Sequence, residues 1–186
     1  MLGTGPAGTG KTFLPSAYYI QQLLEGKIEK IILIRPNVSL GPTLGSLPGS
    51  LYEKMKPWIA PYIDGFSFFV TPNKLKDLVE QELIEVVAVE HLRGRTFGGH
   101  TPTVVLADEC QNLSKEALKC LTQRLGVHGK LVLTGDVKQC DLPVTSPLAD
   151  MLERLAAHER KPVAVCELNI NVRSPTAEFF SDEFWD

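Results

Sequence analysis

The sequence carries no apolar run of membrane-spanning length and no signal-peptide pattern. Its four cysteines, Cys110, Cys120, Cys140 and Cys166, form no C-x-x-C pair, and the four histidines add no zinc-like spacing to them. The cysteines therefore read as separate, reduced, mostly buried thiols, against a disulfide framework and against a metal centre. Together these absences predict an intracellular, cytoplasmic protein with no membrane partner. Charge of one sign is scarce as well: 19 Lys and Arg against 22 Asp and Glu leave a net charge of −3. No overall basic field draws nucleic acid to the chain, so any such binding requires a local patch. Internal repeats, low-complexity tracts and linkers are also missing.

What is present fits one domain over residues 1–186, with 44% hydrophobic and 22% charged residues, enough to bury a proper core. Short apolar runs alternate with helical patterns, which predicts an α/β fold with a largely parallel sheet flanked by helices. Strands are expected near Ile31–Ile34, Ile84–Val89, Thr103–Ala107, Leu131–Thr134 and Val163–Cys166. Helices are expected after the first glycine-rich loop and near Lys74–Leu83, Lys115–Leu125, Ser146–His158 and Thr176–Phe180. The Gly- and Pro-rich stretch from Pro36 to Pro61 reads as a long irregular segment. Only Met1 and Leu2 precede the first glycine, so the strand leading into the first loop is expected to be very short.

That loop, Gly5-Pro6-Ala7-Gly8-Thr9-Gly10-Lys11-Thr12, fits G-x-x-x-x-G-K-[ST] with an extra glycine at position 8. Glycines let successive N–H groups turn toward one point and, with the following helix N-terminus, wrap a phosphate chain. Lys11 is placed to reach the β and γ phosphates, and the Thr12 hydroxyl to coordinate Mg²⁺. Pro15 falls where the following helix should run, which predicts a local kink.

A second motif, Thr103-Val-Val-Leu-Ala-Asp108-Glu109, is an apolar strand that delivers two adjacent carboxylates at its C-terminal end. On its own it is equally a strand ending in a solvated turn. Beside a P-loop it assigns Asp108 to the Mg²⁺ shell and Glu109 to orienting and deprotonating an attacking water. A third strand, Leu131-Val-Leu-Thr134-Gly135-Asp136-Val-Lys-Gln139, ends in polar residues. Gln139 is a neutral donor and acceptor suited to a γ-phosphate or the attacking water, against a loop amide facing solvent.

In this order the motifs resemble the PhoH-like ATPases, whose core is similar to the nucleotide-binding half of superfamily 1 helicases. The likeness runs from Gly5 to about Pro175. It includes the P-loop, Ile34-Arg35-Pro36, Leu44-Gly45-Ser46-Leu47-Pro48-Gly49, Lys54 to Pro61, Arg93-Gly94-Arg95-Thr96, Asp108-Glu109-Cys110-Gln111-Asn112, Thr134-Gly135-Asp136 and Gln139-Cys140-Asp141-Leu142-Pro143. The resemblance implies a RecA-like core, ATP with Mg²⁺, ring-forming homo-oligomers such as hexamers, and a link to RNA. Departures are Cys110 and Leu113 for alanine and threonine, Gln123 for threonine, and Asn171 for an acidic residue before Val172-Arg173. Every phosphate-handling residue stays in place.

Arg173 resembles the family's arginine for a finger on a neighbouring subunit's γ-phosphate, against a structural salt bridge. Arg93 and Arg95, with Lys54 and Lys56, offer a basic surface for single-stranded RNA or DNA, against a solvated loop. Trp58, Tyr62, Phe66, Phe68 and Phe69 offer stacking platforms for bases, against core packing. The reading is Mg²⁺-dependent ATP binding and hydrolysis coupled to nucleic-acid remodelling. The alternative is a nucleotide-gated assembly module with slow turnover. A small-molecule kinase is disfavoured because the strand after the P-loop unit ends in Arg35-Pro36, not a carboxylate.

Overall fold

The computed structural model describes residues 1–36, 50–143, 145–159 and 162–180, and every structural statement below concerns these. Six strands alternate with helices: β1 (Leu2–Thr4), α1 (Phe13–Leu24), β2 (Lys30–Ile34), α2 (Leu51–Phe66), α3 (Pro72–Glu80), β3 (Ile84–Val87), β4 (Thr103–Ala107), α4 (Lys115–Thr122), β5 (Gly129–Gly135), α5 (Pro147–Ala157), β6 (Val165–Glu167) and α6 (Pro175–Phe179). The strands form one sheet in the order β3-β2-β4-β5-β1-β6, and every pairing is parallel. The P-loop strand β1 and the carboxylate strand β4 are separated by β5 alone, the RecA-like arrangement that the sequence predicts. Among the described residues no helix is long and apolar enough to cross a membrane.

Parallel strands covered on both faces are apolar at nearly every position, because alternate side chains enter two different cores. Ile31, Leu33, Val104, Leu106 and Val132 point into a core closed by α1, α2 and α3, where Ile20, Ile59, Tyr62, Phe66 and Leu75 are buried. Ile32, Ile34, Val105, Ala107 and Leu133 point the other way, against Leu118 and Leu121 of α4 and Leu148 of α5. Each fully buried Leu, Ile or Phe contributes about 1.5–3 kcal/mol of transfer free energy. The sheet is thereby fixed as a rigid platform for the loops at its carboxyl edge.

From Leu51 onward the stretch expected to be irregular is helical. α2 holds Pro57 and Pro61 in its interior, yet starts on a capping box: the Ser50 hydroxyl accepts from Glu53 N–H, and the Glu53 carboxylate accepts from Ser50 N–H. Met55, Ile59, Tyr62 and Phe66 lie on one face and are all buried, so packing outweighs the two missing donors. Gly65 permits the close approach to α1, since a Cβ there would lie 2.6 Å from Ser16 Cβ and 2.8 Å from the Phe13 carbonyl oxygen. The Leu44–Gly49 motif lies outside the described residues.

Pro15 does not interrupt α1, which runs unbroken from Phe13 to Leu24. It occupies the first turn, where a backbone N–H has no helical acceptor to lose beyond the Lys11 carbonyl. The other helices end a few residues earlier than expected, and β6 is Val165–Glu167 in place of Val163–Cys166. This edge strand is exposed at all three positions, unlike the buried strands it joins.

Candidate functional site

The parallel register puts the carboxyl ends of β1, β4 and β5 side by side, with Thr4 opposite Gly135 and Ala107 opposite Leu133. The next residues of each strand therefore enter one crevice, where open α/β sheets bind ligands. That crevice is a pocket of about 520 Å³, and Lys11, Thr12, Asp108, Glu109, Gln139 and Arg173 all line it. The structure thus brings together the phosphate, carboxylate, glutamine and arginine residues that the sequence singles out.

Gly5, Gly8 and Gly10 take φ values of 145°, 82° and 85°, which turn the P-loop backbone as a phosphate cradle requires. Within the loop the Thr9 hydroxyl donates to the Pro6 carbonyl at 2.9 Å, and Lys11 Nζ donates to the same oxygen at 2.7 Å. Partial burial lowers the pKa of Lys11, an effect opposed by the charges of Asp136, Asp108 and Glu109 and reinforced by Arg173. A half-buried cation set among three carboxylates, with one neutral carbonyl as its hydrogen-bond acceptor, can exchange that neutral partner for charged phosphate oxygens.

Asp108 is the hub of the crevice. Its Oδ1 accepts the Thr12 hydroxyl at 3.0 Å and the Thr134 hydroxyl at 2.7 Å, and the residue is 4% exposed. Asp136, 5% exposed, lines the same pocket with Oδ2 buried and lacking a hydrogen-bond partner. Hard oxygen donors gathered beside a phosphate cradle, with a carboxylate oxygen left unsatisfied, fit a small divalent cation completed by phosphate and water. Among the described residues no three His, Cys, Asp or Glu side chains could hold a metal unaided. Mg²⁺ in nucleotide sites takes only one or two carboxylates from the protein, so the two observations agree.

Glu109 follows with φ 54° and ψ 37°, a left-handed conformation that costs a non-glycine residue about 1–3 kcal/mol. Its Oε2 accepts from Gln111 Nε2 at 2.7 Å, and its Oε1 lies 4.0 Å from Arg35 Nη2. Gln111, Thr134, Asp136 and Arg35 enter the sequence reading only as members of motifs, without a role. Their signal is spatial: each is polar, follows or ends an apolar strand, and gains its meaning only when β2, β4 and β5 lie adjacent.

Arg173 packs against the P-loop of its own chain. Val172 N–H donates to the Gly8 carbonyl at 2.9 Å, and a Cβ added at Gly8 would meet Arg173 Cδ at 3.0 Å. The departure at Asn171 has a local use, since its Oδ1 accepts Arg173 N–H at 2.9 Å. Other expected residues go elsewhere. Arg95 forms a bidentate pair with Glu85 at 2.7 and 3.1 Å and lies over the Phe97 ring, a structural role. Tyr62 and Phe66 are buried in the core, while Phe68 is 73% exposed.

The profile of the PhoH-like protein family matches residues 1–184. The chain belongs to the PhoH-like family. A PhoH-like protein of Synechocystis is 40% identical over 165 residues, covering 89% of this chain and 49% of the relative. One of Bacillus subtilis is 41% identical over 157 residues, covering 83% and 48%. Protein PhoH of Escherichia coli is 34% identical over 163 residues, covering 86% and 45%. The chain spans about half the length of these curated relatives. Among solved structures, one described as Pif1 helicases unwinding forked double-stranded DNA covers 94% of this chain and 41% of its own, at 16% identity and a TM-score of 0.39. This PhoH-like chain carries its P-loop motif at the carboxyl edge of an all-parallel sheet.

Proposed function

We propose that this PhoH-like core binds ATP with Mg²⁺ and hydrolyses it. The observation that carries the reading is the convergence of Thr12 and Thr134 on Asp108, with Glu109 adjacent and Lys11 in the same pocket. Gly5, Pro6, Ala7, Gly8, Thr9 and Gly10 cradle the phosphates, and Lys11 neutralises the β and γ oxygens. Thr12 and Asp108 would hold the Mg²⁺, which would supply charge neutralisation for the bound phosphates. Glu109 takes a proton from water, the water oxygen bonds to the γ phosphorus, and the bond to the β–γ bridging oxygen breaks with its electron pair leaving on ADP. Gln139 orients that water, and Arg173 stabilises the charge that develops on the γ-phosphoryl group.

Turnover drives remodelling of RNA or another nucleic acid in a ring-shaped homo-oligomer. Support for the RNA link comes from family membership. Support for assembly is the exposure of large apolar side chains in the segment around Arg173, with Ile170 78% and Val172 73% exposed. The deciding measurement is ATP turnover with and without single-stranded RNA at several salt concentrations. Stimulation that weakens with salt supports the remodelling reading. Turnover indifferent to RNA at low salt favours the nucleotide-gated assembly module, and no turnover at all sinks the hydrolase.

A further inference from the structure

The carboxylate assigned as base does not stand free in the crevice. Gln111 reaches it from the short 3₁₀ turn Cys110–Asn112 that follows β4. The two ends of its amide do different work. Nε2 donates to Glu109 Oε2 at 2.7 Å, and Oε1 accepts the backbone N–H of Asp136 at 3.0 Å, 25 residues further along the chain. The residue is 1% exposed and its bond to Asp136 N–H is buried, where an unmet amide would cost about 1–3 kcal/mol, while its bond to Glu109 is part-buried at the edge of the crevice. Its backbone is held too: the Gln111 carbonyl accepts from Cys140 Sγ at 3.3 Å and from Ser146 Oγ at 3.4 Å. The glycine at 135 makes room for the side chain, since a Cβ there would sit 2.7 Å from Gln111 Oε1.

The chemistry singles out a neutral amide at this place. A carboxylate at 111 would repel Glu109, and a lysine would neutralise it and leave Asp136 N–H without an acceptor. Only a group with a donor at one end and an acceptor at the other joins the base to the loop after β5, the loop that carries Asp136 and Gln139. The left-handed backbone of Glu109 is a strained conformation that persists only where surrounding contacts hold it, and the Gln111 bridge is one of them. Among the described residues the charged groups that share its pockets are Arg35 just after β2, Lys11 in the P-loop, Asp108 just after β4, Asp64, Asp136, Asp141 and Arg173.

We infer that Gln111 is the positioning residue of the reaction: it holds the Glu109 carboxylate and ties it to the β5 loop, so that the base and the γ-phosphate-facing residues move as one unit. It touches neither substrate nor metal. The inference rests on the reading of Glu109 as the base, and the test separates the two.

Gln111→Met removes both amide bonds at similar volume, and Gln111→Glu keeps an acceptor for Asp136 N–H while setting a carboxylate against Glu109. Steady-state ATP turnover, nucleotide affinity with a fluorescent ATP analogue, and melting temperature are measured for each, alone and in a Glu109→Gln background. Both single variants are expected to lose about tenfold or more in kcat, with KM and analogue affinity within about threefold of the parent, because only the transition state uses the aimed base. In the Glu109→Gln background Gln111→Met should cost almost nothing further, since the residue has no base left to aim. A loss that persists undiminished in that background assigns Gln111 a purely structural role and overturns the inference, as does a folded Gln111→Met with parental kcat. If Gln111→Met fails to fold, parental kcat in Gln111→Glu overturns it. Retained turnover in Glu109→Gln alone would instead overturn the base assignment.

Discussion

The Thr12 hydroxyl donates to Asp108 Oδ1 at 3.0 Å, joining the start of α1 to the end of β4 across 96 residues of sequence. Both side chains supply hard oxygen at one point, so Asp108→Asn should remove most of the benefit that Mg²⁺ gives to nucleotide binding. ATP affinity of the parent is expected to fall about tenfold or more when EDTA replaces Mg²⁺, and affinity of Asp108→Asn to change little. Calorimetric titration in the two buffers measures this. An equal Mg²⁺ effect in both proteins would remove Asp108 from the metal site.

Lys11 and Glu109 separate binding from chemistry. Lys11→Ala is expected to abolish nucleotide binding, because the loop then faces the β and γ phosphates without a cation. Glu109→Gln is expected to bind ATP as the parent does and to lose turnover by about a hundredfold or more. Filter binding and phosphate release report the two quantities independently. A retained hydrolysis rate in purified Glu109→Gln refutes the base assignment, whereas residual binding does not.

Much of this site is legible in one dimension because its parts are local. The P-loop needs glycines, a lysine and a threonine in consecutive order, and β4 advertises itself as five apolar residues followed by two carboxylates. α2 is misread because Pro57 and Pro61 signal a breaker locally, while the burial of Met55, Ile59, Tyr62 and Phe66 that overrides them is a tertiary effect. The Ser50–Glu53 capping box and that apolar spacing were the available helical signals. Gln111 is illegible for another reason. Its partner Glu109 is only two residues back, but Asp136 follows a different strand, and only the sheet order brings Asp136 N–H within hydrogen-bond distance. Arg95 shows the converse, since its bidentate pairing with Glu85 turns a candidate phosphate contact into a structural one.

Burial of two acids beneath the crevice sets an alkaline limit on stability. Tyr62 and Cys110 are both enclosed, and burial first, then the charge of Asp108, raises each pKa above its usual value of 10.0 for the phenol and 9.0 for the thiol. The folded chain therefore keeps protons that the unfolded chain releases. Stability is full below about pH 9 and declines as pH rises past the unfolded values, with the unfolded state binding fewer protons. Tyr62→Phe combined with Cys110→Ala should show a shallower fall in urea midpoint between about pH 9 and pH 11 than the parent. An unchanged slope would assign the alkaline loss to other groups.

Arg173 carries the last prediction, because the structure sets it against the Gly8 backbone of its own chain while the sequence points to a neighbour's γ-phosphate. Val172 N–H is anchored on the Gly8 carbonyl, Asn171 Oδ1 fixes Arg173 N–H, and the side chain lines the pocket that also holds Lys11 and Glu109. An arginine held there can stabilise the γ-phosphoryl charge without crossing a subunit boundary. Arg173→Ala and Glu109→Gln should each be inactive alone. Mixed in equal amounts with subunit exchange demonstrated, they should stay inactive, since no single chain then carries both groups. Action in trans predicts the opposite: about one interface in four would pair an intact Glu109 with an intact Arg173 next door, and activity would return. Recovery of phosphate release in the mixture therefore overturns the role in cis and restores the finger.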